Sequence, residues 1–175
     1  MRVFSLLFSV LIFAQEADKL VDSTTQNLVK LENVTISAIR AGINTPISFN
    51  NVEKEQIEIE NIGKDLPMVL KNLPSVVTTS DAGAGVGYTG IRIRGSDASR
   101  VNITINGFPF NDAESHGTYW VNLPDFVSSV EEIQVQRGVG TSTNGSGAFG
   151  ASININTENP SKIPFSSISS SLGSF

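Results

Sequence analysis

Ile91-Arg92-Ile93-Arg94, Val101-Asn102-Ile103-Thr104-Ile105, Ile133-Gln134-Val135-Gln136 and Ala151-Ser152-Ile153-Asn154-Ile155-Asn156-Thr157 are the runs whose reading decides the fold. Each sets apolar side chains at i and i+2, the period of a strand with one face buried and the other wet. A helix of 3.6 residues per turn would scatter the same side chains around its circumference. The runs therefore predict a small, partly polar sheet between Ile91 and Thr157.

The connections inside this stretch are short or loop-like. Asn106-Gly107 is a strong turn signal, because both residues accept positive φ. From Phe108 to Trp120 carboxylates, the single histidine and aromatic residues share one loop, a mixture that suits a binding surface. A metal site from Asp112, Glu114 and His116 is a weak alternative, since one imidazole and two loop carboxylates have no specific ligand spacing; a solvated loop with a packed Trp120 competes with it. Pro124 to Val130 reads as a short helix with Asn122 placed to cap it, and Gly138 to Gly150 is almost entirely small residues, which permits tight turns and close backbone approach.

Upstream, Ser80 to Gly90 is a glycine-dense loop in which Gly85-Val86-Gly87-Tyr88-Thr89-Gly90 matches GxGxxG. A dinucleotide site needs a helix directly after that motif, so that its N-terminus meets the pyrophosphate. Here a strand follows, and a flexible surface loop is the expectation. No phosphate-loop lysine follows the glycines of 138–150 either. Leu66, Val69, Leu70 and Leu73 stand at i, i+3, i+4 and i+7, which predicts a helix laid on the sheet, capped by Asp65 and stopped by Pro74. Before it, Glu53 to Glu58 reads as a solvated turn of helix and Ile47 to Val52 as an extended segment.

The amino-terminal part reads as delivery. Arg2 precedes a run from Val3 to Phe13 that is apolar apart from two serines, about 11 residues long, which fits a signal-peptide core and falls short of a bilayer span. Residues 1–14 are assigned to it, with cleavage before Gln15; Ala14 suits the site although Ile12 is large. Residues 15–31 are mixed and polar, a tether. Val34-Thr35-Ile36-Ser37-Ala38, within a segment taken as 32–40, is β-prone and placed to pair with another protein's sheet by strand addition.

Composition excludes several classes. The chain has 175 residues, a net charge of −5, one histidine and no cysteine. Disulfides and thiolate metal sites are out. Nucleic acid is not expected as a partner, because phosphate binding needs clustered Lys and Arg. A catalytic nucleophile would need His116 or a paired carboxylate held by tertiary structure, and the sequence shows no such constellation. The chain is not read as an enzyme and no cofactor or metal is assigned.

In order along the chain, the Val34 segment, the Ile47 strand, the helix ending Asn72-Leu73-Pro74-Ser75-Val76, Ile91-Arg92-Ile93-Arg94-Gly95, Thr104 to Asp112, Val130 to Gly138 and Gly147 to Thr157 resemble the plug domain of TonB-dependent outer-membrane receptors. The resemblance runs from about Leu31 to Pro160. It implies an α+β fold, a small mixed β-sheet with short helices and long Gly-rich loops, spanning 41–160 and lodged in a barrel of about 22 strands. Residues 161–175 would begin the first barrel strand, a length that supplies one such strand at most.

The same resemblance implies the site residues. Val34, Thr35, Ile36, Ser37 and Ala38 would form the Ton box that pairs with a TonB-type periplasmic energy transducer. Tyr88, His116, Tyr119 and Trp120, in outward-facing loops, would contact the transported ligand, an iron chelate such as a siderophore being the type. Arg92, Arg94, Glu131, Glu132 and Arg137 would meet charges on the barrel wall, since unpaired charge in a water-poor lumen is expensive. The implied place is the outer membrane. A free periplasmic binding module from a truncated receptor gene is the competing expectation.

Overall fold

The computed structural model describes residues 40–42, 44–140, 147–166, 168 and 170. The segments expected as signal and leader, Val34 to Ala38 and the last five residues lie outside them. In chain order the elements are β1 (Ser48–Glu53), α1 (Lys54–Glu60), α2 (Leu66–Val69), β2 (Val76–Ser80), β3 (Thr89–Ile93), β4 (Val101–Ile105), β5 (Phe108–Pro109), β6 (Val130–Arg137) and β7 (Ala151–Thr157). Three 3₁₀ turns, Ala98–Arg100, Trp120–Asn122 and Phe126–Ser129, complete the set.

The five-stranded sheet has the order β1-β6-β7-β4-β5, while β2 and β3 form a separate hairpin. β4 and β7 are parallel and every other pair is antiparallel, so the sheet is mixed and the fold is α+β as expected. The Ile91 run therefore stands outside the sheet that holds the other three. Asn106 and Gly107 both adopt positive φ in the β4–β5 turn. Asn106 adds a second function there: its amide exchanges two hydrogen bonds with Thr157, at 2.8 and 2.9 Å, tying the turn to the end of β7.

One face of the sheet is apolar. Val101, Ile103, Ile133, Val135, Ile153 and Ile155 pack there with Ile57 from α1, Leu66, Val69 and Leu70 from and just after α2, and Trp120. The opposite face, expected to be wet, is also buried: Asn102, Thr104, Gln134, Gln136, Ser152 and Asn154 are all nearly inaccessible. Buried polar groups need partners, and this face supplies most of them, across strands and along β6. Thr104 donates to Asn154 at 2.7 Å, Asn102 to Ser152 at 3.3 Å, Gln136 to Gln134 at 2.9 Å and Gln134 to Asn51 at 2.8 Å. Gln134 also grips the main chain of Ala41, accepting from its N–H at 2.7 Å and donating to its carbonyl at 3.0 Å. Arg40 pairs with Glu132 beside it through both guanidinium nitrogens.

The helices differ from what the sequence suggests. The leucine helix is a single α turn, Leu66–Val69, because Pro67 and Pro74 bracket it; beyond it Leu70, Lys71 and Leu73 donate to carbonyls three residues back, the tighter 3₁₀ pattern. Asp65 makes no side-chain cap and instead accepts from the Thr89 hydroxyl at 2.7 Å, fastening α2 to the start of β3. In α1, expected to be solvated, Ile57 is buried in the core. The Pro124 to Val130 segment forms the 3₁₀ turn Phe126–Ser129 in place of an α-helix, with Asp125 before it in the left-handed region.

Candidate functional site

The loop after β5 is built on Asn111. Its amide oxygen accepts from the Ile103 N–H at 2.7 Å, and its nitrogen donates to the carbonyls of Val101 and His116, both at 2.9 Å. One side chain thus stands in for a strand beside β4 and hangs the loop from it. Within the loop, the Asp112 carboxylate accepts from the Ser115 N–H at 2.7 Å, the Ser115 hydroxyl at 2.8 Å and the Glu114 N–H at 3.2 Å. The Ser115 hydrogen bonds come first in holding its carboxyl below the usual carboxylate range. Asp112 is consumed in shaping the turn, and no group of three or more metal-ligating side chains gathers among the described residues.

This bracing presents His116 to solvent with a left-handed φ of 56°. Tyr119 follows, 48% exposed, its hydroxyl 3.2 Å from that of Ser115. Trp120 is different: at 2% exposure it belongs to the core and has no free surface to offer. The glycine-rich loop is likewise braced, where the sequence suggested free movement. Gly85 is buried against Lys64 and Met68, donates to Ser80 Oγ at 3.0 Å and accepts from the Asp65 N–H at 2.9 Å. Tyr88 stands out from this loop, 67% exposed, and the strand β3 follows as the rejection of a dinucleotide site requires.

A third turn, which the sequence reading did not single out, joins the same region. Asp97 accepts from the Ser99 N–H at 3.3 Å and opens the 3₁₀ turn ending at Arg100. The guanidinium carbon of Arg100 lies 5.6 Å from the centre of the Phe149 ring. Ser99, Arg100, His116, Gly147 and Phe149 line an open cleft of about 390 Å³. The available signal was the small-residue run before β7: a Cβ on Gly150 would lie 2.2 Å from that of Ser96, so only glycine lets the two turns meet.

The five charged candidates are mostly engaged within the chain. Arg137 donates to Ser48 Oγ at 2.9 and 3.2 Å and to the Pro74 carbonyl at 3.2 Å, stitching β6 to the start of β1 and to the turn before β2. Glu132 holds Arg40, Glu131 lies 3.9 Å from Lys54, and Arg92 lies 3.9 Å from Asp97. Arg94 is exposed, in a left-handed turn.

Comparison with known proteins decides the family. The family described as TonB-dependent Receptor Plug Domain matches residues 41–152, more than half of the chain. This chain belongs to that plug family. Among individual relatives, the plug is 33% identical over 110 residues to the vitamin B12 transporter BtuB of Vibrio vulnificus, covering 63% of this chain and 17% of that protein. It is 26% identical over 140 residues to the probable TonB-dependent siderophore receptor PirA of Acinetobacter baumannii, covering 74% of this chain and 18% of the relative. The crystal structure of the siderophore receptor PirA from A. baumannii shares the plug's fold with a TM-score of 0.51 and 25% identity, over 65% of this chain and 17% of that one. The plug thus spans less than a fifth of the length of these relatives, which are named as transporters and receptors rather than enzymes.

Proposed function

We propose that this plug is the gating and ligand-contact part of an outer-membrane receptor that takes up a scarce solute, an iron chelate being the type, with energy delivered from the periplasm. The observation that carries the reading is the family match over residues 41–152. The exposed positions of Tyr88, His116 and Tyr119 support their use as solute contacts. The braced loops favour it too, since a preorganised surface loses less entropy on binding.

In this reading Val34 to Ala38 pair as a strand with a TonB-type transducer. Backbone pairing needs β-prone residues more than particular side chains. Arg92, Arg94 and Glu131, on the exposed surface, face charges of the surrounding barrel; Glu132 and Arg137 serve the plug's own cohesion as well. Deleting Val34 to Ala38 from the full-length receptor should abolish energised uptake and leave solute binding by whole cells nearly unchanged. Unchanged uptake would refute the Ton-box assignment.

A further inference from the structure

We infer that Asn106 is a modification site, a residue that deamidates spontaneously through a succinimide under the control of Thr157. The inference stands apart from the uptake reading, since it needs only the turn, water and time.

The two reacting groups are neighbours in the chain. Asn106 and Gly107 form the turn between β4 and β5, at φ of 51° and 85°. Gly107 has no side chain to shield its main-chain nitrogen, and Asn106 is exposed to the water that the second step consumes. In the first step the Gly107 nitrogen, having lost its proton to base, attacks Asn106 Cγ. The new C–N bond closes a cyclic imide, and Nδ2 leaves as ammonia. In the second step water opens the imide. Cleavage between the nitrogen and Cγ leaves aspartate; cleavage between the nitrogen and the Asn106 main-chain carbonyl carbon leaves isoaspartate, whose chain runs on through the side chain.

The fold holds the first step back. Ring closure needs Cγ to swing onto its own main chain, and the structure ties it to β7 instead. The Asn106 amide donates to Thr157 Oγ1 at 2.8 Å and accepts from the Thr157 N–H at 2.9 Å, while the Asn106 N–H donates to the Ile155 carbonyl at 2.8 Å. The nitrogen that must leave is therefore the one Thr157 holds. Thr157 ends β7, and the residue after it is fixed twice: Glu158 donates its N–H to the Ser129 carbonyl at 2.9 Å and accepts from Lys54 Nζ at 2.7 Å. Reaction at Asn106 accordingly records how often this end of β7 lets go. The aspartate product keeps the tie, because its carboxylate accepts from both the N–H and the hydroxyl of Thr157. Isoaspartate adds a carbon to the main chain of the turn and so disturbs the pairing of Ile105 with Phe108.

The test is a time course on the full chain at mildly alkaline pH, native and in urea, with aspartate and isoaspartate read by peptide mass spectrometry. Asn144-Gly145, the chain's other Asn-Gly pair, supplies the intrinsic rate. In urea the two pairs should react at similar rates, and native Asn106 should be slower than in urea by about tenfold or more, the effect of two hydrogen bonds. Thr157→Val keeps the N–H and the branched shape and removes the hydroxyl; it should speed native deamidation about three- to tenfold, and Thr157→Ser should restore the slow rate. Ile153→Ala loosens the sheet without touching the turn and should speed Asn106 less than Thr157→Val does. If Thr157→Val does not fold, the native-to-urea ratio and Ile153→Ala decide. A native rate equal to that in urea, an unchanged rate in Thr157→Val, or a larger effect from Ile153→Ala would overturn the control by Thr157. Asn106 left unreacted in urea while Asn144 reacts would overturn the site itself.

Discussion

The two faces of the five-stranded sheet are equally buried and are held by opposite physics. On one, isoleucines and valines meet α1, α2 and Trp120. Each such side chain contributes about 1.5 to 3 kcal/mol by leaving water, and water has nothing to offer in exchange. On the other, amides and hydroxyls bond across β4, β7, β6 and β1 and to Ala41. A net hydrogen bond there contributes about 0.5 to 1.5 kcal/mol, and water is a ready substitute partner. One face is a permanent core; the other is a polar seam that fixes register and holds the incoming chain at Arg40 and Ala41 by exchangeable bonds.

That contrast makes graded predictions. Ile153→Ala should cost about 2 to 5 kcal/mol in urea unfolding, because its site is closed on all sides; a loss below 1 kcal/mol, on the order of a surface change, would break the comparison at its strong end. Gln134→Leu keeps the volume and strands the Ala41 peptide group and Asn51, so about 1 to 3 kcal/mol is expected. A cost matching that of Ile153→Ala would erase the distinction between the faces. Thr104→Val removes one hydroxyl and leaves Asn154 without its 2.7 Å donor, for about 1 kcal/mol.

The smallest effect lies outside both faces. Asp112 has its carboxyl held below the usual range, so its bonds are fully present at neutral pH and are lost as pH falls through that lowered value. The Ser115 amide resonance should move in acid while those of Ile153 and Ile155 stay. Movement of Ser115 at the ordinary carboxylate pKa would show that the bonds to Ser115 do not shift the titration.

Much of this was legible in the residues. Alternation placed β4, β6 and β7, and Asn106-Gly107 fixed the β4–β5 turn, because period and positive φ are local properties. The fate of the polar face was not legible: alternation distinguishes two faces but says nothing of what covers the second, and Gln134 finds Ala41 across 93 positions of sequence. Helix lengths failed where prolines bracket too few residues for a second α turn. In the site, His116, Tyr88 and Tyr119 stood out as exposed loop residues, whereas Trp120 went to the core, as large aromatic surface tends to. Ser99, Arg100 and Phe149 were missed because the contact that unites them joins turns about 50 residues apart, through Gly150 against Ser96.

The most direct measurement is amide hydrogen exchange of the chain with and without the carboxy-terminal domain of a TonB-type transducer. The account predicts new protection at Val34 to Ala38, with the amides of β6 and β7 unchanged. Protection elsewhere with none at Val34 to Ala38, or no protection at saturating transducer, would contradict the assignment of this plug to an energised receptor.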